Sequence, residues 1–171
     1  MILLLALFVF VPTYAESKDT SEEVGDVLQI VIPVTALGTT FLKDDEEGRW
    51  QFVKSFATTM AATYVLKYAV NSERPDGGDY SFPSGHTSAA FSGASFLQRR
   101  YGWAYGIPAY ALASYVGWSR VDADKHHVED VVAGAVFGIA STYIFTTPYE
   151  DLTIKPVVEN NTYGLAAHFD W

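Results

Sequence analysis

Phe82-Pro83-Ser84-Gly85-His86-Thr87-Ser88 marks the point where a loop becomes a helix. Upstream, Asn71 to Pro83 is rich in Gly, Pro, Asp and Ser, the residues of turns. Downstream, Gly85–Arg100 carries small residues on one side and reads as a helix. Ser84 suits the N-cap, because its hydroxyl can accept from a free backbone N–H of the first turn. Gly85 lets the backbone come close to a ligand. Free N–H groups at a helix start, with the positive end of the dipole, make an anion site. His86 falls in the first turn, within reach of the same anion. An ordinary capped helix with an exposed His has the same local pattern, so the neighbouring segments have to decide.

Those neighbours read as helices. Val27–Leu42 is uncharged and makes a short apolar helix, followed by a charged turn from Lys43 to Arg49. Phe52–Val70 places Phe52, Phe56, Met60, Tyr64 and Tyr68 at helical spacing. Tyr101–Ser119 is uncharged and reads as a helix despite Pro108. Arg120 to Lys125 is a polar loop. His126 or His127 then opens a last helix through the uncharged stretch Val131–Tyr149. The expected fold is an all-α bundle of about five core helices. Beyond Asp151, Ile154–Val158 and Tyr163–Phe169 flank Asn160-Asn161, a pattern that fits a small β-hairpin.

At 171 residues the chain holds one domain, and its 49% hydrophobic content excludes a disordered one. The expected organisation is an N-terminal segment at 1–15, a helical domain at 16–150 and a tail at 151–171. Met1 to Val11 is apolar, and Thr13 and Ala15 precede a polar run; this reads as a signal peptide or as a retained anchor. Net charge is −9, which argues against nucleic acid as a partner, since phosphate backbones need a basic face. Cysteine is absent, which excludes disulfides, thiolate metal sites and Cys nucleophiles.

Tyr101–Ser119 and Val131–Tyr149 are each long enough to cross a hydrocarbon core of ~30 Å, and Val27–Leu42 is marginal. The mean hydropathy of +0.09 is low for a protein with many spans, so a compact soluble bundle is the alternative. Lys43, Arg49, Arg99 and Arg100 all fall at one end of such a bundle, and the motif-bearing loops at the other. Positive charge favours the cytoplasmic side, so the loops are expected to face outward.

Three cations stand apart from the rest: Lys67 near the end of an apolar helix, Arg74 stiffened by Pro75, and Arg120 directly after an uncharged helix. Gathered at one end of a bundle they need an anion. Phosphate suits them, since Arg binds it in a bidentate fork and Lys as a point charge. His126 and Asp130 are four apart, on one face if the helix begins there. A carboxylate bonded to one imidazole nitrogen fixes the tautomer and frees the other to attack phosphorus.

Taken together, Lys67-(six residues)-Arg74-Pro75, then Pro83-Ser84-Gly85-His86, then Ser119-Arg120-(five residues)-His126-(three residues)-Asp130, resemble the three-part motif of the type 2 phosphatidic acid phosphatase family. That family shares its site with the vanadium haloperoxidases. The resemblance spans about Phe52 to Phe145 and implies a helical bundle with its site at one end. It implies that Lys67, Arg74, Arg120, Ser84 and the Gly85 N–H bind phosphoryl oxygens. His126 would be the nucleophile and form a phosphohistidine. Asp130 would orient His126, and His86 would protonate the leaving oxygen and then activate water. It implies no metal and no cofactor. Asp122, Asp124 and Glu129 match no family role and read as solvated. The implied substrate is a lipid phosphate or pyrophosphate, handled at a bacterial inner membrane with the site facing the periplasm. Alternatives are a soluble periplasmic acid phosphatase, a vanadium-dependent haloperoxidase, and a non-catalytic binder of phosphate headgroups.

Overall fold

The computed structural model describes residues 18–149 together with the strands at 151–159 and 162–170; the N-terminal segment at 1–15 lies outside the described residues. Five helices run in sequence: α1 (Lys18–Leu42), α2 (Glu46–Val70), α3 (Gly85–Tyr101), α4 (Trp103–Asp122) and α5 (Val128–Phe145). An antiparallel hairpin follows, β1 (Asp151–Glu159) and β2 (Thr162–Asp170), with Ile154 opposite Ala167. The all-α bundle and the tail hairpin are where the sequence pattern put them.

Several boundaries differ from expectation, each for a local reason. α1 starts nine residues before Val27, and Ser21 in that added stretch is buried and ties it to α4 by donating to Asp122 Oδ2 at 2.8 Å. The charged turn is only Lys43 to Asp45. Asp45 caps α2 by accepting from Gly48 N at 2.8 Å, which draws Glu46–Arg49 into the helix. α4 continues through Arg120 to Asp122, so the polar loop is shorter. α5 begins at Val128 with His127 as its cap and ends at Phe145, before Tyr149.

α3 is the central helix and touches the other four. Its small residues permit this. Ala90, Ala94, Phe96 and Leu97 join Ile32 and Ala36 of α1, Phe52 of α2, and Ala109, Ala113 and Val116 of α4 in one core. Toward α5 the approach is backbone to backbone. A Cβ at Gly138 would lie 2.7 Å from Ser92 N, and one at Gly134 2.6 Å from Ser84 O. Hydroxyls fill much of the α2–α3–α5 seam. Thr63 Oγ1 bonds Ser88 Oγ at 2.9 Å, and Thr59 and Thr142 return their hydroxyls to helical carbonyls. A seam made of Ser, Thr and Gly explains how a tightly packed bundle comes from a sequence of such modest mean hydropathy.

α1 over Thr20–Leu42 and α5 over Val128–Phe145 are long and apolar enough to cross a membrane. α1 therefore exceeds the marginal length read from Val27–Leu42. α4 is not among these helices: Tyr, Trp, Gly, Ser and Pro dilute its apolar residues. Val27, Ile30 and Val34 on α1, and Val132, Val136 and Ile144 on α5, are exposed.

The α1–α2 and α3–α4 turns form one end of the bundle, and it collects Lys43, Arg49, Arg99 and Arg100 as expected. Arg100 is buried and forks onto Asp45, with Nε–Oδ2 at 2.7 Å and Nη2–Oδ1 at 2.6 Å. Tyr101 Oη also donates to Asp45, and Arg100 Nη1 donates to the carbonyls of Thr147 and Pro148. Removing one partner of such a pair strands a buried charge, at a cost of about 3 kcal/mol or more. Asp45→Ala is expected to destabilise the protein by that amount in a detergent unfolding titration, while leaving the shape of any pH–rate profile unchanged. Wild-type stability in the variant would contradict this role.

Candidate active site

At the opposite end, a cavity of about 180 Å³ is lined by Glu22, Asp26, Arg74, His86, Arg120, Lys125 and His126. Two loops, α1, the start of α3 and the end of α4 bring these together. The α2–α3 loop is held by its own backbone: Arg74 N donates to Gly78 O at 2.7 Å, Ser81 N to Ser72 O at 2.8 Å, and Asp76 N reaches across to Asp124 O at 3.1 Å. The Phe82–Pro83 peptide is cis. Ser84 caps α3, accepting from Thr87 N at 3.5 Å and from Thr87 Oγ1 at 3.0 Å. A Cβ at Gly85 would meet nothing within 4 Å, so the helix start opens on free space beside His86.

The expected cations are present at different depths. Arg120 is buried, 2% exposed, and is anchored by Glu22 O at 2.6 Å, Asp26 Oδ1 at 2.7 Å and Ser119 Oγ. Arg74 lines the cavity while its Nε donates to Asp79 O at 3.0 Å. Lys67 stands behind the lining, donating to Tyr80 O at 2.7 Å. Burial, then the neighbouring Arg74 charge, lowers the Lys67 pKa to about 8.

His126 and Asp130 are both buried, but not as two residues on one helical face. α5 starts after His126, and His126 N is held by Arg120 O at 3.1 Å. The carboxylate reaches back instead. Asp130 Oδ2 accepts from His127 N at 2.9 Å, which closes the helix cap. Its separation from His126 Nδ1 is 3.6 Å, beyond a good hydrogen bond. Ser81 fills the gap. Its hydroxyl lies 3.3 Å from His126 Nδ1 and donates to Asp130 Oδ2. Because that hydroxyl proton goes to the carboxylate, Ser81 Oγ can accept from Nδ1–H, and the lone pair is then on Nε2. Burial, followed by the charges of Lys67 and Arg74, holds the His126 pKa well below the ordinary histidine value. The imidazole is thus neutral at physiological pH. His86 is also lowered, chiefly by burial and then by Arg120.

Ser81, Glu22 and Asp26 were not singled out by the sequence. Ser81 is one serine among many in a turn-rich loop, and the α1 acids fall between the polar run after Ala15 and the apolar helix read from Val27. Asp122 is not simply solvated either, since it accepts from Ser21 Oγ at 2.8 Å. Among the described residues, no three His, Asp or Glu side chains converge as a metal site.

Residues 48–153 match the PAP2 superfamily. The chain belongs to that family. It is a PAP2-type phosphatase. The lipid A 4'-phosphatase of Helicobacter pylori strain J99 is 29% identical over 169 residues, covering 88% of this chain and 85% of that protein. The undecaprenyl-diphosphatase of Sulfolobus acidocaldarius is 34% identical over 122 residues, covering 63% and 57%. Among solved structures, Aquifex aeolicus LpxE superposes with a TM-score of 0.67 at 21% identity, over 77% of this chain and 86% of that one. A transmembrane PAP2-type phosphatidylglycerolphosphate phosphatase from Bacillus subtilis gives 0.61 at 24%, over 75% and 74%. These two structures share the fold.

Two outcomes are expected of this PAP2 site. Burial and the Arg74 charge lower the Lys67 pKa to about 8, so inhibition by tungstate, a phosphate mimic that stays a dianion across this range, should weaken as pH rises through that value. Lys67→Gln should remove that pH dependence; its persistence in the variant would contradict the assignment. Ser81→Ala should lower kcat by about a hundredfold with KM little changed, the scale expected when a reacting group loses its orientation. Steady-state kinetics on any turned-over phosphate ester checks it.

Proposed function

We propose that this PAP2 protein is a membrane phosphatase that removes phosphate from a lipid phosphate or pyrophosphate through a phosphohistidine on His126. The observation that carries the reading is the buried series His126–Ser81–Asp130, set beside a cavity walled by Arg74 and Arg120. In the first step His126 Nε2 attacks phosphorus while the bond to the leaving oxygen breaks. His86 gives that oxygen its proton, and the lipid alcohol departs. In the second step water attacks the phosphohistidine, His86 takes the water proton, and inorganic phosphate leaves with Nε2 restored. Arg74, Arg120, Lys67 and the Gly85 N–H meet the charge on the phosphoryl oxygens, and Ser84 fixes the helix start that supplies that N–H. Asp130 steadies the imidazolium through Ser81. The phosphatase unit in this reading is residues 16–150.

The apolar, exposed flanks of α1 and α5 support a bilayer around the bundle, and the cations gathered at the Asp45–Arg100 end support a periplasmic site in a bacterial inner membrane. Phosphatidic acid, phosphatidylglycerol phosphate, undecaprenyl pyrophosphate and lipid A phosphate all present the group that the clamp reads. The length of the match to a lipid A 4'-phosphatase favours lipid A phosphate as the first to test.

Phosphate release by the detergent-solubilised protein, with EDTA present, tests the reading. Release from a lipid, lost in His126→Ala, is the expected result. Full activity in His126→Ala would overturn the mechanism, and release from soluble esters alone would overturn the lipid assignment. The pH dependence is fixed in sign. His126 must be neutral and His86 protonated, and both have lowered pKa values. kcat/KM should therefore be bell-shaped, with its descending limb, set by His86, below 6.5.

A further inference from the structure

α1 lies outside the residues that match the family, yet it forms one wall of the cavity. Gly25 makes this possible: a Cβ there would overlap Ser119 Oγ and lie 2.7 Å from Arg120 Nη2. α1 is thereby seated on the deepest cation of the clamp, and the next residue is Asp26. Its Oδ1 accepts from Arg120 Nη1 at 2.7 Å and lies 3.0 Å from His86 Nε2. One carboxylate oxygen joins a phosphate-binding arginine to the second imidazole.

We propose that Asp26 is the positioning residue of His86, holding Nε2–H so that Nδ1 is the nitrogen that exchanges a proton with the substrate. The inference rests on the reading of His86 as the acid and base. The balance is simple. Protonated His86 keeps its Nε2–H on Asp26 and gives its Nδ1 proton to the leaving oxygen. The neutral ring, still held at Nε2, takes a proton from water at Nδ1. Without a hold on Nε2 the ring has two tautomers and two faces to offer, and only one is productive.

The surroundings give Asp26 a second consequence. His86 faces Arg120 from α4, Arg74 from the α2–α3 loop and His126 from the α4–α5 segment, with Lys125 and Glu22 also on the cavity wall. Burial and the two arginines drive its proton off. Asp26 is the group that opposes them, through its charge and its hydrogen bond. It keeps a proton on a ring that the phosphate clamp would otherwise strip.

Asp26→Asn separates these roles, because its amide oxygen can still accept from Arg120 while the charge is gone. The descending limb of kcat/KM against pH should move down by about one unit, the scale of losing an adjacent opposite charge. Above that limb kcat/KM should fall about tenfold, with KM changed little. Asp26→Glu, which keeps the charge, should leave the limb in place even if kcat drops, and it serves if the Asn variant does not fold. An unmoved limb with a raised KM in Asp26→Asn would overturn the proposal, because Asp26 would then only hold Arg120. His86→Gln is run beside them. If the limb survives in that variant, the acid–base reading of His86 fails, whatever Asp26 does.

Discussion

Asp130 sits buried at the head of α5, and four parts of the active site are tied to it. Its side chain accepts from Ser81 Oγ and from His127 N, and its backbone carbonyl accepts from Ser84 N at 3.0 Å. One residue therefore fixes the end of the α2–α3 loop, the cap of α3, the cap of α5 and, through Ser81, the ring of His126. A carboxylate taken this far from water needs its hydrogen bonds, and each bond it accepts positions a piece of the site. The geometry at this end of the bundle rests on one acid.

The charges on either side of Asp130 follow from where the helices end. α2 and α4 finish at the site while α3 and α5 begin there, so cations from helix C-termini meet free N–H groups at helix N-termini. The result is a small cavity in which Arg74, Arg120 and Lys125 face Glu22 and Asp26; burial first, and then the neighbouring cations, make its imidazoles give up protons readily. The two histidines have conflicting needs: a nucleophilic histidine benefits from those cations, but a histidine that must donate a proton does not. The carboxylates are distributed accordingly, with Asp130 behind His126 at one remove and Asp26 directly on His86. The far end of the bundle meets its own charge differently, by closing Arg100 onto Asp45 away from solvent.

Most of the helical bundle and the outline of the site were legible in the sequence. Lys67, Arg74, Ser84, Gly85, His86, Arg120, His126 and Asp130 stand at helix ends and loops in the order and spacing of the family motif, and the structure brings them to one end as a candidate site. The less legible parts have physical reasons. Glu22 and Asp26 belong to a polar stretch next to an apolar N-terminus, and nothing local says that this stretch is helical; Gly25 packing on Ser119 and Arg120 settles it through tertiary contact. Ser81 matters only because the chain folds back so that it fills a 3.6 Å gap between His126 and Asp130, a distance no spacing encodes. The i,i+4 pairing of those two residues suggested one helical face, whereas the helix starts after His126 and the pair forms across its cap. The apolar run of α4 reads as a membrane span by length, yet its Tyr, Trp, Gly, Ser and Pro make it less apolar than α1 and α5, and its small residues Gly106, Ala109, Ala113 and Gly117 are among the ones it buries.

The central claim is that His126 attacks phosphorus and is then relieved of the phosphoryl group by water. Two in-line displacements at one phosphorus leave its configuration unchanged, while a single direct attack by water inverts it. The stereochemical course of transfer from a substrate with a phosphorus made chiral by oxygen isotopes therefore tests the claim most directly, with the product read by phosphorus NMR after transfer to an alcohol acceptor. The account predicts retention. Inversion would contradict it and would assign His126 to binding or to general-base chemistry.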